Sequence, residues 1–587
     1  MQHLGRTVVH RDRLARSWKL GDRTRPLSTT PGIVLLEGDV ELDINLAPFS
    51  CKMERTLPSK MYFSSRANLD PFSEEPGPNY ESSVGFVLPP VLEEANAGEM
   101  PTGNDVLVMS WQRLRHDETI LEADLRPSII VLVDAPQLTA HQGRLIDAII
   151  AIKKQFPGAL LWTPGISGPD NIALLSWFGV DLHDMARSRL AKANGLILTQ
   201  DGPRNPLEGE SLDYVAHFEH AINSTRAALA EGWLRNLAEK QSLNSPKMVE
   251  HLRHFSRASD SVSGLLKSVV GRDYLFECLS PSALNDPVVK RWHRFMENEY
   301  TCPPSIENIL ILLPCSATKP YSSSPTHRKF IREIGHSGVH ELMITSPLAI
   351  VPRDLESVWP AAHYDLPVTG DWSVEEISII HEVLIGYLKR HSYNIIINHT
   401  NIPIPDLGMA VISTTNGESP TSAPALERLR QVVREQENLK KRKGEKINLD
   451  TFKSISRFMF NNDAWLSDCR IRGKFPDWKV EKDGQQIAVW STKRGAFSIS
   501  KVGLSVMHEH KTLPEVIVKE DQKLMGDLHL GLLDSWPEDL KVGEEVLLIQ
   551  KGVLVGSARV LAPSWEWNGT PGRLAKLRHK LSSDSSK

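Results

Sequence analysis

Cysteine is scarce in this chain: five residues in 587, at Cys51, Cys278, Cys302, Cys315 and Cys469, with no CxxC pair among them. That spacing argues against a zinc ribbon and against a disulfide framework, and it suits thiols kept reduced in a cytoplasm. Long apolar runs are missing too. None approaches the roughly 18 residues that a membrane-spanning helix needs, and Met1 to Trp18 carries Arg and His where a secretory signal has its apolar stretch. A cytoplasmic protein without membrane contact is expected. Charge of one sign is also lacking, the net being −4. Any nucleic-acid contact must therefore come from local patches, because phosphate attraction acts over about a Debye length.

What is present is ordinary for soluble globular domains: 41% hydrophobic and 24% charged residues. The length suggests about four domains at roughly 150 residues each. Residues 1 to 125 show few clear elements, and Pro, Gly, Ser and Asn cluster between Pro71 and Asn104 as in a long loop. From Ser128 the pattern sharpens. Ile129–Val133, Ala159–Trp162 and Gly195–Thr199 read as strands, separated by helical stretches over His141–Phe156 and Asn171–Phe178. Such alternation implies βαβ units and a parallel sheet. A mostly helical block follows from Ser211 to Phe255.

A second alternating block starts near Ser305. Asn308–Leu313 is almost wholly apolar, as in a strand buried on both faces. Ser324 and Pro325 supply an N-cap and first-position proline, with Gly335 as the helix stop. Glu341–Thr345, Asn394–Asn398 and Met409–Ser413 read as further strands, and Ser373 with Glu376 forms a capping box. Residues 415–445 are polar, and the run Lys440, Lys441, Arg442 and Lys443 is either a solvated linker or a phosphate contact. From about Gln486, short strands with glycine turns predict a small β-barrel.

Chemistry concentrates after the strand at Asn308. It ends at Pro314 and delivers Cys315 to the carboxyl edge of a sheet, where open α/β sheets bind ligands. The helix starting near Pro325 points free N–H groups at the same loop, and Lys319 adds a positive charge. Both favour a thiolate, making Cys315 a candidate nucleophile, with His327 on the first helical turn to give or take a proton. A lone cysteine after a strand is more often a small buried hydrophobe, so on the residues alone both interpretations stay open.

Pro314-Cys315, Lys319-Pro320-Tyr321, Ser324 and His327 resemble the signature PCxxxKPYxxSxxH of archaeosine synthases. Thr345-Ser346-Pro347-Leu348, Val351 to Glu356 and Tyr364 to Gly370 continue the resemblance. Gly179-Val180-Asp181 to Asp184 and Leu196–Thr199 resemble later barrel strands of archaeal tRNA-guanine transglycosylase. Thr492 to Phe497, Val542 to Val546 and Pro571 to Arg578 resemble a PUA domain, and Phe458-Met459-Phe460 the family's linking domain.

The resemblance implies an α/β multidomain fold. A degenerate TIM-barrel-like transglycosylase domain would span residues 1–270, a parallel-sheet catalytic domain 285–425, a small linking α+β domain 426–485 and a PUA-type β-barrel 486–582. It implies a tRNA-modifying transferase of archaeal type. This enzyme would add an amine, free lysine, to the nitrile of 7-cyano-7-deazaguanine in the tRNA D-arm, and a radical SAM enzyme would then complete archaeosine. Implied catalytic residues are Cys315, Lys319, Tyr321, Ser324 and His327. Arg353, Asp365 and Thr369 would bind substrate, with Asp181 and Asp184 structural or base-contacting. Lys493, Arg494, Arg573, Lys576 and Arg578 would contact RNA, while Trp565 and Trp567 either stack on bases or fill a core. No cofactor is expected. The chain departs from the transglycosylases in lacking DSGxF and, between Leu207 and His254, any cysteine, so no structural zinc is expected there. Its oligomeric state is open, a homodimer included. An inactive tRNA-binding scaffold is the alternative function, and a true transglycosylase a third.

Overall fold

The computed structural model describes residues 4–54, 59–69, 78–85, 105–118, 120, 125–261, 276–306, 308–335, 338–365, 372–405, 408–436, 444–474, 477–492 and 495–581. The chain divides into two compact units.

The first unit comprises Met1–Gly271 with Asp521–Glu544 and Arg559–Lys576. It opens with an antiparallel sheet of β1 (Arg6–Asp12), β2 (Ala15–Gly21) and β3 (Pro26–Thr29). An eight-stranded sheet follows: β4 (Gly32–Leu36), β5 (Phe49–Glu54), β6 (Ser59–Ser65), β7 (Asn79–Gly85), β8 (Val106–Met109), β9 (Ile129–Leu132), β10 (Leu160–Trp162) and β11 (Leu182–His183). Neighbours follow chain order and β11 returns to pair with β4, so among the described residues the hydrogen-bonded ring is open between β7 and β8. Pairing is parallel from β8 through β11 and β4 to β5, then antiparallel for β5–β6 and β6–β7. The result is a nearly closed, barrel-like mixed sheet rather than an all-parallel barrel.

The strands β8 to β11 are short and buried throughout, as β9 (Ile-Ile-Val-Leu) shows. The helix Arg144–Gln155 lays Leu145, Ile146, Ile149 and Ile152 into the core, and the helix Ile172–Phe178 ends at Gly179, whose φ of 110° suits glycine. Two sequence expectations need correction. The segment read as one long loop contains β7, which completes a meander with β5 and β6. The strand expected at Gly195–Thr199, β12 (Ile197–Thr199), pairs only with β13 (Gly202–Arg204) in a hairpin outside the barrel. Trp567 is fully buried and donates to the Ala562 carbonyl at 2.7 Å, while Trp565 lies under the Arg16 guanidinium at 4.9 Å. Both fill the core instead of stacking on bases.

The second unit comprises Arg272–Glu520, Glu545–Ala558 and Leu577–Lys587. Its central sheet uses β15 (Ile309–Pro314), β16 (His340–Thr345), β17 (Ala349–Pro352), β19 (Ile395–Asn398) and β20 (Val411–Ser413) in the order β17-β16-β15-β19-β20. The strands β14 (Phe276–Glu277) and β18 (Tyr364–Asp365) pair separately. All pairings in the central sheet are parallel except β16–β17. Helices Pro325–Ile334 and Ala423–Arg434 contribute Phe330, Ile334, Leu426, Leu429 and Val433 to the core that also holds Ile309, Ile311 and Leu313. The expected capping box, Ser373 with Glu376, is formed. A helix at Gly444–Phe460 follows, then a four-stranded antiparallel sheet over 470–499, and the strands Glu515–Val518 and Glu545–Gln550 pair in parallel. Among the described residues no helix is long and apolar enough to cross a membrane.

Candidate active site

The central sheet of the second unit explains why a cysteine stands where it does. Five consecutive apolar residues, Ile309–Leu313, are buried between β16 and β19, and Pro314 ends the strand. Cys315 is the next residue, at the carboxyl edge, partly exposed whereas the other four cysteines are buried. The neighbouring strand β16 ends at Thr345, whose hydroxyl donates to the Ser346 carbonyl at 3.3 Å and is among the influences that lower the Cys315 thiol. Tyr364 of β18 places its hydroxyl 2.6 Å from Thr345 Oγ1, and the hydroxyl of Tyr321 meets that of Tyr364. Both phenols are buried. Lys319 places its Nζ over the Tyr364 ring, 4.1 Å from the centroid.

The electrostatics correct one expectation. Burial pushes the Cys315 thiol up, and the Thr345 hydroxyl and Lys319 charge oppose that without overcoming it. The helix N-terminus does less than expected because its His327 N–H is taken by Ser324 Oγ at 3.0 Å. Lys319 is pushed down by burial, against the opposing influence of Cys315, Asp365 and Cys278. A thiol raised and an amine lowered, each feeling the other's charge, are matched for proton exchange. Burial also raises both Tyr321 and Tyr364.

Of the other residues named from the sequence, Ser324 is a helix cap. His327 is fully buried, burial pushes it down to about 2 with Arg353 adding to the effect, and its Nδ1 lies 3.0 Å from Arg353 Nη2. Its ring also packs against Tyr321, with centroids 5.2 Å apart, which keeps it beside the motif loop. Arg353 is not free for substrate. It donates to Glu341 at 2.6 Å and to Glu356 at 2.8 Å. Burial opposes its charge, yet the two carboxylates hold it above its ordinary value. Asp365 is exposed, with its charge felt at Lys319. Thr369 lies outside the described residues, as do Lys493, Arg494 and the run Lys440–Lys443.

In the barrel, Asp181 and Asp184 are buried and saturated. Asp181 accepts from Trp18 Nε1 at 3.1 Å, Lys153 Nζ at 2.6 Å and the Leu161 N–H at 2.9 Å. Asp184 accepts from Trp162 Nε1 at 3.1 Å, the Gly165 N–H at 2.8 Å and the Ala186 N–H at 3.0 Å. Both are structural, and the base-contacting role falls away. The basic residues near the carboxyl end are partly engaged as well. Arg573 pairs with Asp527 at 2.5 Å, and Arg578 with Glu545 and with Ser498 Oγ at 3.1 Å. Lys576 and Lys580 are exposed. Among the described residues no group of three or more His, Cys, Asp and Glu side chains comes together to hold a metal ion.

Sequence inspection missed Thr345, Tyr364 and Cys278 as site residues. Thr345 and Tyr364 each open a block that continues the motif resemblance, which was a signal for them, whereas Cys278 had only its place just after the strand β14.

Comparison with known proteins bears on this arrangement. A family model described as a domain of unknown function (DUF5591) matches residues 289–433, which include Cys315, Lys319, Tyr321, Thr345 and Tyr364. The archaeosine synthase subunit alpha of Methanosarcina acetivorans is 28% identical over 516 residues, covering 78% of this chain and 80% of that protein. The archaeosine synthase of Haloferax volcanii is 28% identical over 465 residues, covering 72% and 77%. The chain is similar to archaeosine synthases over most of its length. The resemblance seen in the motif thus extends far beyond it. Among solved structures, a conserved PUA-domain protein from Thermoplasma acidophilum overlays 24% of this chain and 91% of its own, with 13% identity and a TM-score of 0.19.

Proposed function

We propose that the chain modifies tRNA as archaeosine synthases do, adding lysine through an amine to the nitrile of 7-cyano-7-deazaguanine already in the D-arm, to leave an amidine. The observation that carries this is the meeting of Cys315, Lys319, Thr345, Tyr364 and Tyr321 at one sheet edge, in a chain similar to archaeosine synthases over about three quarters of its length. The name of one relative, subunit alpha, supports a second subunit, and our reading gives the completion of the product to a radical SAM enzyme. The PUA-like sequence at the carboxyl end and the exposed Lys576 and Lys580 support contact with tRNA phosphates.

A nitrile carbon is electrophilic but slow, so covalent activation divides one hard step into two. The Lys319 amine takes the thiol proton, and the sulfur of Cys315 bonds to the nitrile carbon. The resulting Lys319 ammonium returns the proton to the nitrile nitrogen, giving a thioimidate by net addition of S–H across C≡N. The incoming amine then adds to the same carbon and sulfur leaves as thiolate, taking back a proton to regenerate the thiol. The exposed carboxylate of Asp365, near Lys319, suits the second ammonium of a diamine donor such as lysine.

The test is mass spectrometry of the modified base after incubating the protein with nitrile-containing tRNA and lysine. A gain of one lysine less no atoms, lost in Cys315→Ala, is the expected result. An unchanged base with every amine donor, despite tight tRNA binding, would leave the scaffold reading instead.

A further inference from the structure

A guanidinium can only donate hydrogen bonds, and that decides what the imidazole beside it must do. Arg353 gives its Nε–H and one Nη2–H to Glu341 Oε2, at 3.0 Å and 2.6 Å, and an Nη1–H to Glu356 Oε2 at 2.8 Å. The other Nη2–H meets His327 Nδ1 at 3.0 Å. That nitrogen therefore accepts, and the neutral ring carries its single proton on Nε2. We propose that Arg353 is a positioning residue for the reaction at Cys315, clamped by Glu341 and Glu356 so that it locks His327 as the Nε2-protonated tautomer beside the motif loop. The lock withholds the imidazole as a base, so the thiol proton passes to Lys319. The proposal rests on Cys315 as the reacting group, and it gives Arg353 no contact with substrate.

The clamp is well sheltered: the side chains of Arg353, Glu341 and Glu356 are 19%, 14% and 10% exposed. Two carboxylates on different edges of a planar guanidinium fix its orientation as well as its place. Glu356 Oε2 also accepts the N–H of Ser322 at 3.0 Å, so one oxygen sets both the guanidinium and the motif loop. His327 is held from its other sides. Its backbone N–H is taken by Ser324 Oγ, and its ring lies 5.2 Å from that of Tyr321 and 5.3 Å from that of Phe330, centroid to centroid. Nε2 is shut off from solvent, and the carbonyl of Pro314, the residue before Cys315, is among the influences on the ring. The groups facing the imidazole are thus Arg353 from the turn Arg353–Leu355, Tyr321 and Pro314 from the motif loop, and Phe330 from its own helix. A second proton at Nδ1 would break the Arg353 hydrogen bond and set cation against cation, which burial makes costly.

The test is the pH dependence of iodoacetamide alkylation at Cys315 in the full-length protein, read by mass spectrometry of the peptide that contains it. The parent profile should show no inflection between about pH 5 and 7, the range of an ordinary imidazole. Arg353→Met frees Nδ1, so the ring should gain a proton in that range and favour the nearby thiolate. A new inflection should then appear there, and it should vanish in Arg353→Met combined with His327→Gln. An inflection already present in the parent, none in the Met variant, or one that survives in the double variant would each overturn the proposal. If Arg353→Met does not fold, the parent decides alone, with 15N-labelled histidine and the His327 signal identified by its loss in His327→Gln. Nε2 should be protonated and Nδ1 unprotonated, unchanged from about pH 8 to about pH 5.5. A proton on Nδ1, or a ring that titrates in that window, would overturn the lock. Neither measurement involves tRNA or amine, so failure here is separate from failure of the tRNA reaction itself.

Discussion

Both units place titratable residues at the ends of parallel strands, and the two places are very different. In the barrel, Asp181 and Asp184 flank β11, and each accepts from three donors within 3.1 Å. A carboxylate so occupied has little capacity left for a ligand. At the edge of the second sheet, Cys315 keeps partial exposure beside hydroxyls and an amine, its thiol pushed up and the Lys319 amine pushed down by burial. Position on the fold is therefore a weak guide to chemistry. What separates a working edge from a structural one is whether the acceptors there are already satisfied.

The contrast can be broken or sharpened by substitution. Cys315→Ala should lower amidine formation by at least about 10³-fold, about 4 kcal/mol of barrel-independent transition-state stabilisation, measured as modified base per minute. Asp181→Asn should do the reverse. It leaves Lys153 buried without its carboxylate, so the protein should lose about 3–5 kcal/mol in denaturant unfolding, while the activity of the folded fraction stays near that of the parent. A fall in that specific activity comparable to Cys315→Ala would give the barrel a chemical role after all. Lys319→Met removes the proton carrier and should slow single-turnover addition by about 10²-fold, with tRNA affinity little changed.

A smaller effect comes from buried imidazoles. Burial pushes His183 down to about 3, His293 and His399 to about 4 and His327 to about 2. Each is neutral when folded and binds a proton near pH 6.5 when unfolded. The folded state should therefore hold its full histidine contribution above about pH 6.5 and lose it as pH falls toward the folded values. The melting temperature should decline on acidification from pH 7 to 5, and a flat profile would contradict these assignments. The smallest effect is expected for Lys576→Ala, which should weaken tRNA binding and flatten its salt dependence by about one unit of slope if that side chain contacts a phosphate.

How much was legible in the sequence follows from the range of each signal. The β15 strand, the Ser324 cap, the Gly335 stop and the capping box at Ser373 are encoded within a few residues, and all appear where the sequence places them. The site is only half legible for the same reason. Cys315, Lys319 and Tyr321 share one loop, but Thr345 and Tyr364 arrive from other strands and become neighbours only through the parallel pairing of β15 with β16 and the placement of β18. His327 shares that local legibility: the helix turn that caps on Ser324 sets its ring against Tyr321 and beside Arg353. The mixed strands of the barrel were hidden because β5–β7 carry no helical alternation to mark them.

The most direct test of Cys315 as the nucleophile is to trap the intermediate. The protein is mixed with nitrile-containing tRNA in the absence of any amine, quenched and digested, and the peptide containing Cys315 is weighed. A mass increase matching the modified nucleotide on that peptide, discharged when lysine is added before the quench, is the expected result. A fully active protein that never carries the adduct, with Cys315→Ala equally active, would contradict the account and leave the sheet edge as a place where amine and nitrile are merely held together.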